Sequence, residues 1–273
     1  MPWKADLIFT DDISGIGGLA AGLGLKKPSP EVGAGIQIAP HASRILGRLG
    51  LLEKVKGKAN VLEETRYGGR KDIQRPTVIH RGDLQRILLD AVKAAGIDLR
   101  TSSRITGPDS SFEAKVQLEF GERVSGAVVI AADGVESSLR RQIASKNGVK
   151  DKPGAPNEES WTNNGNVKEM ETFYKGWNDL VRNLLSYVPD GEVMEGTLNS
   201  HFPLQSWAEN KCALMGDAWH PMPPYVAQGA AQAMKDAGVL TCALSLTDDF
   251  STALRVYEMV RKERAKKIKT VPL

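Results

Sequence analysis

Cysteine is nearly absent from this 273-residue chain, with Cys212 and Cys242 the only two. They are far apart and form no C-x-x-C pattern, which excludes a thiolate zinc site and a disulfide framework and fits a reducing compartment. No other metal-ligand set is read from the sequence. A charge excess is also missing. Against 36 Lys+Arg stand 33 Asp+Glu, and the resulting +3 is too small to argue by itself for a nucleic-acid or anionic-membrane partner, so a small-molecule ligand is expected. No stretch reaches the roughly 18 apolar residues of a membrane span. The first residues lack the apolar run of a secretory signal, and no internal repeat is visible. The expectation is a cytoplasmic protein. What is present is a globular composition, 41% hydrophobic and 25% charged, at a length that suits one large or two small domains.

Periodicity supplies the elements. Asp6 to Thr10 is a short β-like run, followed by the glycine cluster Gly15, Gly17 and Gly18 and a segment of helical composition. Apolar residues at Ala42, Ile45, Leu46 and Leu49 keep helical spacing up to Gly50, and a second short helix is expected to end near Gly57. The clearest helix covers 82–95, with Leu84, Ile87, Leu88, Ala91, Val92 and Ala95 on one face and Gly96 as terminator. Residues 112–120 alternate apolar and polar, which predicts an antiparallel strand pairing across the Gly121-Glu122 turn. Ala127 to Ala131 and Cys212 to Met215 are unbroken apolar runs of the kind buried in a parallel sheet, each followed by an acid. The Asn-, Gly- and Pro-rich stretch from Lys146 to Lys168 marks an exposed connection or a boundary. Beyond it, Leu180, Val181, Leu184 and Leu185 predict one helix face, and 229–246 and 250–269 two long helices. The basic run from Arg255 to Lys269 is read as a solvated helix face.

The glycine cluster is a candidate phosphate cradle, because a strand turning into a helix N-terminus presents free amides and the positive end of the dipole. A full G-x-G-x-x-G would need glycine at position 13, which is Ile13. No strand ending in a ribose-binding acid follows at the usual distance of about 20 residues. An ordinary glycine turn therefore stays open, and Gly33-Ala34-Gly35 does not complete a rival fingerprint.

Four blocks carry more information: Glu31 to Pro40, His80-Arg-Gly-Asp-Leu84, Asp133 to Arg140, and Leu214 to Gln232 with its Gly-Asp-Ala-Trp-His-Pro start. Together, and in this order, they resemble the class A FAD-dependent aromatic hydroxylases, in particular the salicylate-hydroxylase-like branch of fungal secondary metabolism. The resemblance implies an α/β fold: a Rossmann-like FAD-binding domain with a small antiparallel β element and a reduced substrate domain. The expected division is 1–150 and 209–273 for the FAD domain, with a substrate-domain remnant at 151–208.

It also implies roles for individual residues. Gly15, Gly17 and Gly18 would line the pyrophosphate, with Asp133 nearby assisting the nicotinamide cofactor. Gly33, Ala34 and Gly35 and the Gln228-Gly229-Ala230 turn would touch the flavin, Arg81 would meet a phosphate or the ribityl chain, and Asp217 would accept from a ribityl or ribose hydroxyl. Tyr225 is a candidate for the substrate cavity. The bland alternatives are a helix-capping Asp217, an Arg81–Asp83 surface pair and a strand-end turn at Asp133. His41 and His220 receive no role, and no catalytic residue is singled out.

The implied reaction uses FAD, NAD(P)H and O₂ to hydroxylate a small aromatic or enol carbon. The sequence departs from the family in two places, between Leu25 and Glu31 and between Arg140 and Gly216, where it reads as carrying internal deletions. The alternative reading is accordingly a truncated, non-catalytic remnant with weak or no FAD binding. Oligomeric state is not legible.

Overall fold

The computed structural model describes residues 7–10, 35–62, 65–67, 70–72, 77–100, 103–149, 163–188, 193–195, 201, 204–222 and 227–269. Two compact units divide the chain: residues 1–152 with 200–273, and residues 153–199. The larger unit opens with β1 (Leu7–Thr10), β2 (Gly35–Ile38), α1 (Pro40–Arg48), α2 (Leu52–Lys56), β3 (Asn60–Val61), β4 (Thr65–Tyr67), β5 (Arg70–Asp72), β6 (Thr77–His80) and α3 (Arg81–Ala94). There follow β7 (Ile105–Pro108), β8 (Lys115–Leu118), β9 (Arg123–Ser125), β10 (Val128–Ala131) and α4 (Ser138–Lys146). The smaller unit holds β11 (Asn163–Asn164), α5 (Val167–Phe173), α6 (Asp179–Leu185) and β12 (Met194–Glu195). The chain returns to the larger unit with β13 (Ala208–Glu209), β14 (Cys212–Leu214), a 3-10 turn at Gly216–Ala218, α7 (Gly229–Leu246) and α8 (Phe250–Lys269).

The central sheet runs β1-β10-β14-β13, with β1, β10 and β14 parallel and β13 antiparallel at the edge. Parallel strands need both faces covered, and every residue of β10 and β14 is buried. The three strands expected to build this sheet do so. Two three-stranded antiparallel sheets, β2-β6-β3 and β7-β8-β9, accompany it, along with the antiparallel pair β4-β5. In the second, β8 pairs with β9 across the predicted Gly121 turn, where Gly121 takes φ +84.

Helix limits follow local chemistry. His80 caps α3 by accepting from the Gly82 amide at 3.2 Å, while Leu84, Leu88 and Val92 turn inward and Gly96 ends the helix at φ +71. The strand expected from residue 112 begins only at Lys115. Asp109 folds residues 109–112 into a tight turn, taking the Ser111 amide on Oδ2 at 3.2 Å and the Phe112 amide on its carbonyl at 3.0 Å. Phe112 is left at φ 57 with its ring buried.

The larger unit also reclaims residues expected in the substrate region. Leu204 and Trp207 sit in its core, where Trp207 packs on Trp219 with ring centroids 3.8 Å apart and edge-on to Tyr257 at 5.7 Å. In the smaller unit the predicted helix forms, but Leu180 and Leu184 are exposed, as are Phe173, Trp177 and Tyr187.

α1 and α7 approach closely at Gly238, where an added Cβ would lie 3.4 Å from Ile45. This contact sets His41, in the first turn of α1, among cations. Its Nε2 is buried without a hydrogen bond. Burial, then the charges of Lys235, Arg261, Arg264 and Arg44, lower its pKa to about 4. A folded value below the unfolded 6.5 means that the unfolded chain takes up the proton first, so His41 supports the fold above about pH 6.5 and that support is lost as pH falls toward 4. Chemical denaturation of the wild type and His41→Gln from pH 7.5 to 4 should show a steeper acid loss in the wild type; parallel profiles would contradict the assignment.

Candidate functional site

Because β1, β10 and β14 are parallel, their C-terminal ends share one edge of the sheet, the edge where open α/β sheets bind ligands. Two acid-bearing turns leave it. After β10 comes Asp133-Gly134, with Gly134 at φ +76. Asp133 Oδ2 accepts the Ser138 amide at 3.1 Å and Ser137 Oγ accepts the Arg140 amide at 3.1 Å, so both residues cap α4. Asp133 Oδ1 is buried with no hydrogen bond. Burial lifts the Asp133 carboxyl to about 6 against the pull of Ser137, Ser138 and Arg141.

After β14 comes Gly216-Asp217. Gly216 takes φ +60, and a Cβ there would stand 3.4 Å from the Ala233 Cβ. The turn buries Gly216 and Ala218 and leaves Asp217 between them exposed. Asp217 is not seen to cap α7: among the described residues no side chain caps that helix, whose N-cap is Gln228 and which begins at Gly229. The Asp217 carboxyl lies in crowded surroundings nonetheless. Burial raises its pKa, His220 and Arg81 oppose the rise, and Asp236 adds to it.

Further expected site residues lie together. Gly35 pairs with His80 across β2 and β6, next to Arg81, and a Cβ on Gly35 would meet Val78 Cγ1 at 3.2 Å. Arg81 is close enough to Asp217 to influence its ionisation. Asp83, the expected bland partner of Arg81, pairs with Arg86 at 3.6 Å. Gln228 accepts from Gln232 Nε2 at 3.2 Å, and Gly229 and Ala230 form the first turn of α7. Gly15, Gly17, Gly18, Gly33, Ala34 and Tyr225 lie outside the described residues.

The turn that carries Asp217 rests on residues that sequence reasoning passed over. Asp236 is fully buried on α7, and its Oδ2 accepts from Gly216 N at 3.0 Å and His220 Nε2 at 2.6 Å, while Oδ1 accepts from Arg261 Nε at 2.6 Å. Arg261 also donates through Nη2 to the Gln232 carbonyl (3.3 Å) and Oε1 (3.0 Å). The basic run 255–269 is therefore not simply a solvated face, since Arg261 is 2% exposed. Arg140 Nη1 donates to the carbonyls of Ala218 (3.3 Å) and Trp219 (3.0 Å), joining the two acid-bearing turns. The one available signal was that Asp236 is the only acid in α7, a helix made mostly of small and apolar residues.

Comparisons with known proteins agree with this layout. An FAD binding domain family matches residues 191–270. The FAD-dependent monooxygenase OpS4 of Beauveria bassiana (strain ARSEF 2860) is 27% identical over 320 residues, covering 87% of this chain and 74% of the relative. The 3-hydroxybenzoate 6-hydroxylase 1 of Aquipseudomonas alcaligenes is 26% identical, covering 94% and 85%. The crystal structure of CtdE in complex with FAD has the same fold, with a TM-score of 0.80 at 19% identity over 98% of this chain and 92% of that one. The chain is similar to FAD-dependent monooxygenases and aromatic hydroxylases along most of its length. The OpS4 alignment spans more positions than the 273 of this chain, so the relative has internal residues with no counterpart here. The described residues fit FAD: an exposed carboxylate, a nearby guanidinium and an uncapped helix N-terminus stand where the strands end.

Asp133 gives a test of the site's electrostatics. Its folded pKa of about 6 exceeds the usual carboxylate value, so ionisation disfavours the folded state above that pH, and the cost fades as pH falls toward 4. Asn keeps the capping oxygen and removes the charge. Asp133→Asn should be more stable than the wild type at pH 7.5 by about 1 kcal/mol after solvent screening, or roughly 2–4 °C in Tm. The gap should close at pH 4, and a gap independent of pH would count against a raised pKa.

Proposed function

We propose that this chain holds FAD along the C-terminal edge of its parallel sheet and uses NAD(P)H and O₂ to hydroxylate a small aromatic or enol-bearing molecule of secondary metabolism. The observation that carries the reading is Asp217: exposed between two buried neighbours, with Arg81 nearby and the open N-terminus of α7 following. Bound FAD would supply electron transfer from the nicotinamide to O₂. In the balanced reaction NAD(P)H and a proton give up two electrons, one oxygen atom replaces hydrogen on the substrate carbon, and the other leaves as water. Asp217 would accept from a ribityl hydroxyl and Arg81 would face a phosphate or the ribityl chain. The first amides of α7, with Gln228, Gly229 and Ala230, and the Gly33-Ala34-Gly35 turn would border the ring. Gly15, Gly17 and Gly18 would take the pyrophosphate, Asp133 would assist the nicotinamide cofactor, and Tyr225 would shape the substrate cavity. An aromatic substrate is supported by relatives named as hydroxybenzoate hydroxylases.

FAD affinity tests the placement. Asp217→Ala should weaken binding tenfold to a hundredfold, the loss of one charge-assisted hydrogen bond of about 1.5–3 kcal/mol. Arg81→Ala should weaken binding too, while moving the Tm of the FAD-free protein by little, since a surface pair contributes about 0–1 kcal/mol. Fluorescence titration and thermal melts with and without FAD read both effects, and unchanged FAD affinity in Asp217→Ala would refute the site.

Oxygen transfer asks more of the protein than cofactor binding, because water must be kept from the reacting centre. A specific observation bears on this. Phe173, Trp177, Leu180, Leu184 and Tyr187 of the smaller unit are all exposed, and relatives have internal residues that this chain lacks. With FAD, a reduced nicotinamide and a panel of phenols, this chain should oxidise the nicotinamide and release most of the oxygen as hydrogen peroxide. Product equal to nicotinamide consumed, with little peroxide, would show a closed pocket and overturn the expectation.

A further inference from the structure

We infer that Asp236 is the positioning residue for Asp217, holding the Gly216 turn in the one conformation that aims the Asp217 carboxylate at the cofactor. The inference rests on the proposed FAD site and goes beyond it by assigning a control point that lies outside the site.

The argument begins with acceptor capacity. An ionised carboxylate donates nothing and accepts at both oxygens. Asp236 places Gly216 N and His220 Nε2 on Oδ2 and Arg261 Nε on Oδ1, at 3.0, 2.6 and 2.6 Å, with no solvent exposure. His220 Nε2 must therefore be protonated, since the carboxylate offers no hydrogen. Of the three donors, Gly216 N belongs to the residue that precedes Asp217. Gly216 is at φ +60 and is crowded by Ala233, one turn before Asp236 on α7. The left-handed backbone, the amide bond to Asp236 and the close approach to α7 together leave the turn little freedom. The following residues are pinned as well: Ala218 and Trp219 by Arg140, and His220 through Nε2 and through its amide, which donates to the Gly216 carbonyl at 2.9 Å. Asp217 is the one side chain of the turn that is left pointing out. Arg261 completes the arrangement from α8, so a contact far along the chain sets the geometry of the site without touching it.

A double-mutant cycle separates positioning from general support of the fold. FAD dissociation constants would be measured by fluorescence on the full chain for wild type, Asp217→Ala, Asp236→Asn and the double variant, with thermal melts of each FAD-free protein. Asp236→Asn should weaken FAD binding about tenfold. Added to Asp217→Ala it should cost no more than about threefold further, because a carboxylate that is gone needs no aiming. Fold losses that multiply would overturn the inference, as would unchanged affinity in Asp236→Asn. If Asp236→Asn does not fold, Arg261→Lys replaces it in the same cycle; it keeps a cation against Asp236 and loses the bonds to Gln232, and the same non-additivity is expected. Failure of the underlying reading looks different. It would appear as no FAD binding in the wild type or no effect of Asp217→Ala, and it would remove this inference with it.

Discussion

A single buried carboxylate joins the two C-terminal helices of the larger unit to the end of β14. Asp236 alone on α7 would be an isolated charge in an apolar interior, a condition costing several kcal/mol unless it is paired and fully hydrogen-bonded. Burial raises its pKa, but the charges and hydrogen bonds of His220 and Arg261 outweigh it and keep the carboxyl below its ordinary value. Each partner brings an element with it: Arg261 ties α8 to α7, and Gly216 and His220 tie the end of β14 to both. Removing one partner from such a pair typically costs about 3–5 kcal/mol, because the remaining charge stays buried. Arg261 also donates to the Gln232 carbonyl and side-chain oxygen, so one guanidinium joins α8 to α7 at three acceptors.

The surrounding core is built to suit that register. Tyr257 of α8 donates to the Leu214 carbonyl at 3.0 Å, meeting β14 just before the Gly216 turn. Trp207 and Trp219 stack between the sheet edge and α8, each with its Nε1 buried and unpartnered. Two such donors without acceptors are a real cost, and the large apolar area of two indoles offsets it. Residues 204–207 therefore belong to the sheet domain for a packing reason, although the substrate-domain remnant was expected to run to 208. Cys212, next to them on β14, has its thiol pushed up to about 12 by burial and the nearby acids Glu113, Asp109 and Glu209. That makes it a small core side chain with no thiolate chemistry at neutral pH.

What was legible in the sequence was whatever a local pattern can encode. The 3.6-residue spacing through Leu84, Leu88 and Val92, the unbroken run of β10 and the glycines at 96 and 121 are statements about neighbours along the chain, and the fold respects them. Gly-Asp at 216–217 and Asp-Gly at 133–134 were legible as turns after buried strands, and their common edge follows once the strands are parallel. The Asp236–Arg261 pair was not legible. Its members lie on different helices, and a basic run in an amphipathic helix gives no sign of which cation turns inward. Phe112 misled for a related reason: alternation continued through it, but Asp109 captured the local amides and bent the chain before the strand began.

Cofactor holding and substrate enclosure make different demands on a chain. The groups suited to FAD are short turns at strand ends, fixed by a sheet with fully buried strands and by the Asp236 pairing, and all of that lies in residues 1–152 and 200–273. Such a site tolerates loss of chain elsewhere, because its geometry comes from backbone position and a few buried hydrogen bonds. Enclosure depends on continuous apolar contact, which residues 153–199 do not complete by themselves: the large side chains at 173, 177, 180, 184 and 187 are exposed. Meeting the first demand does not by itself meet the second.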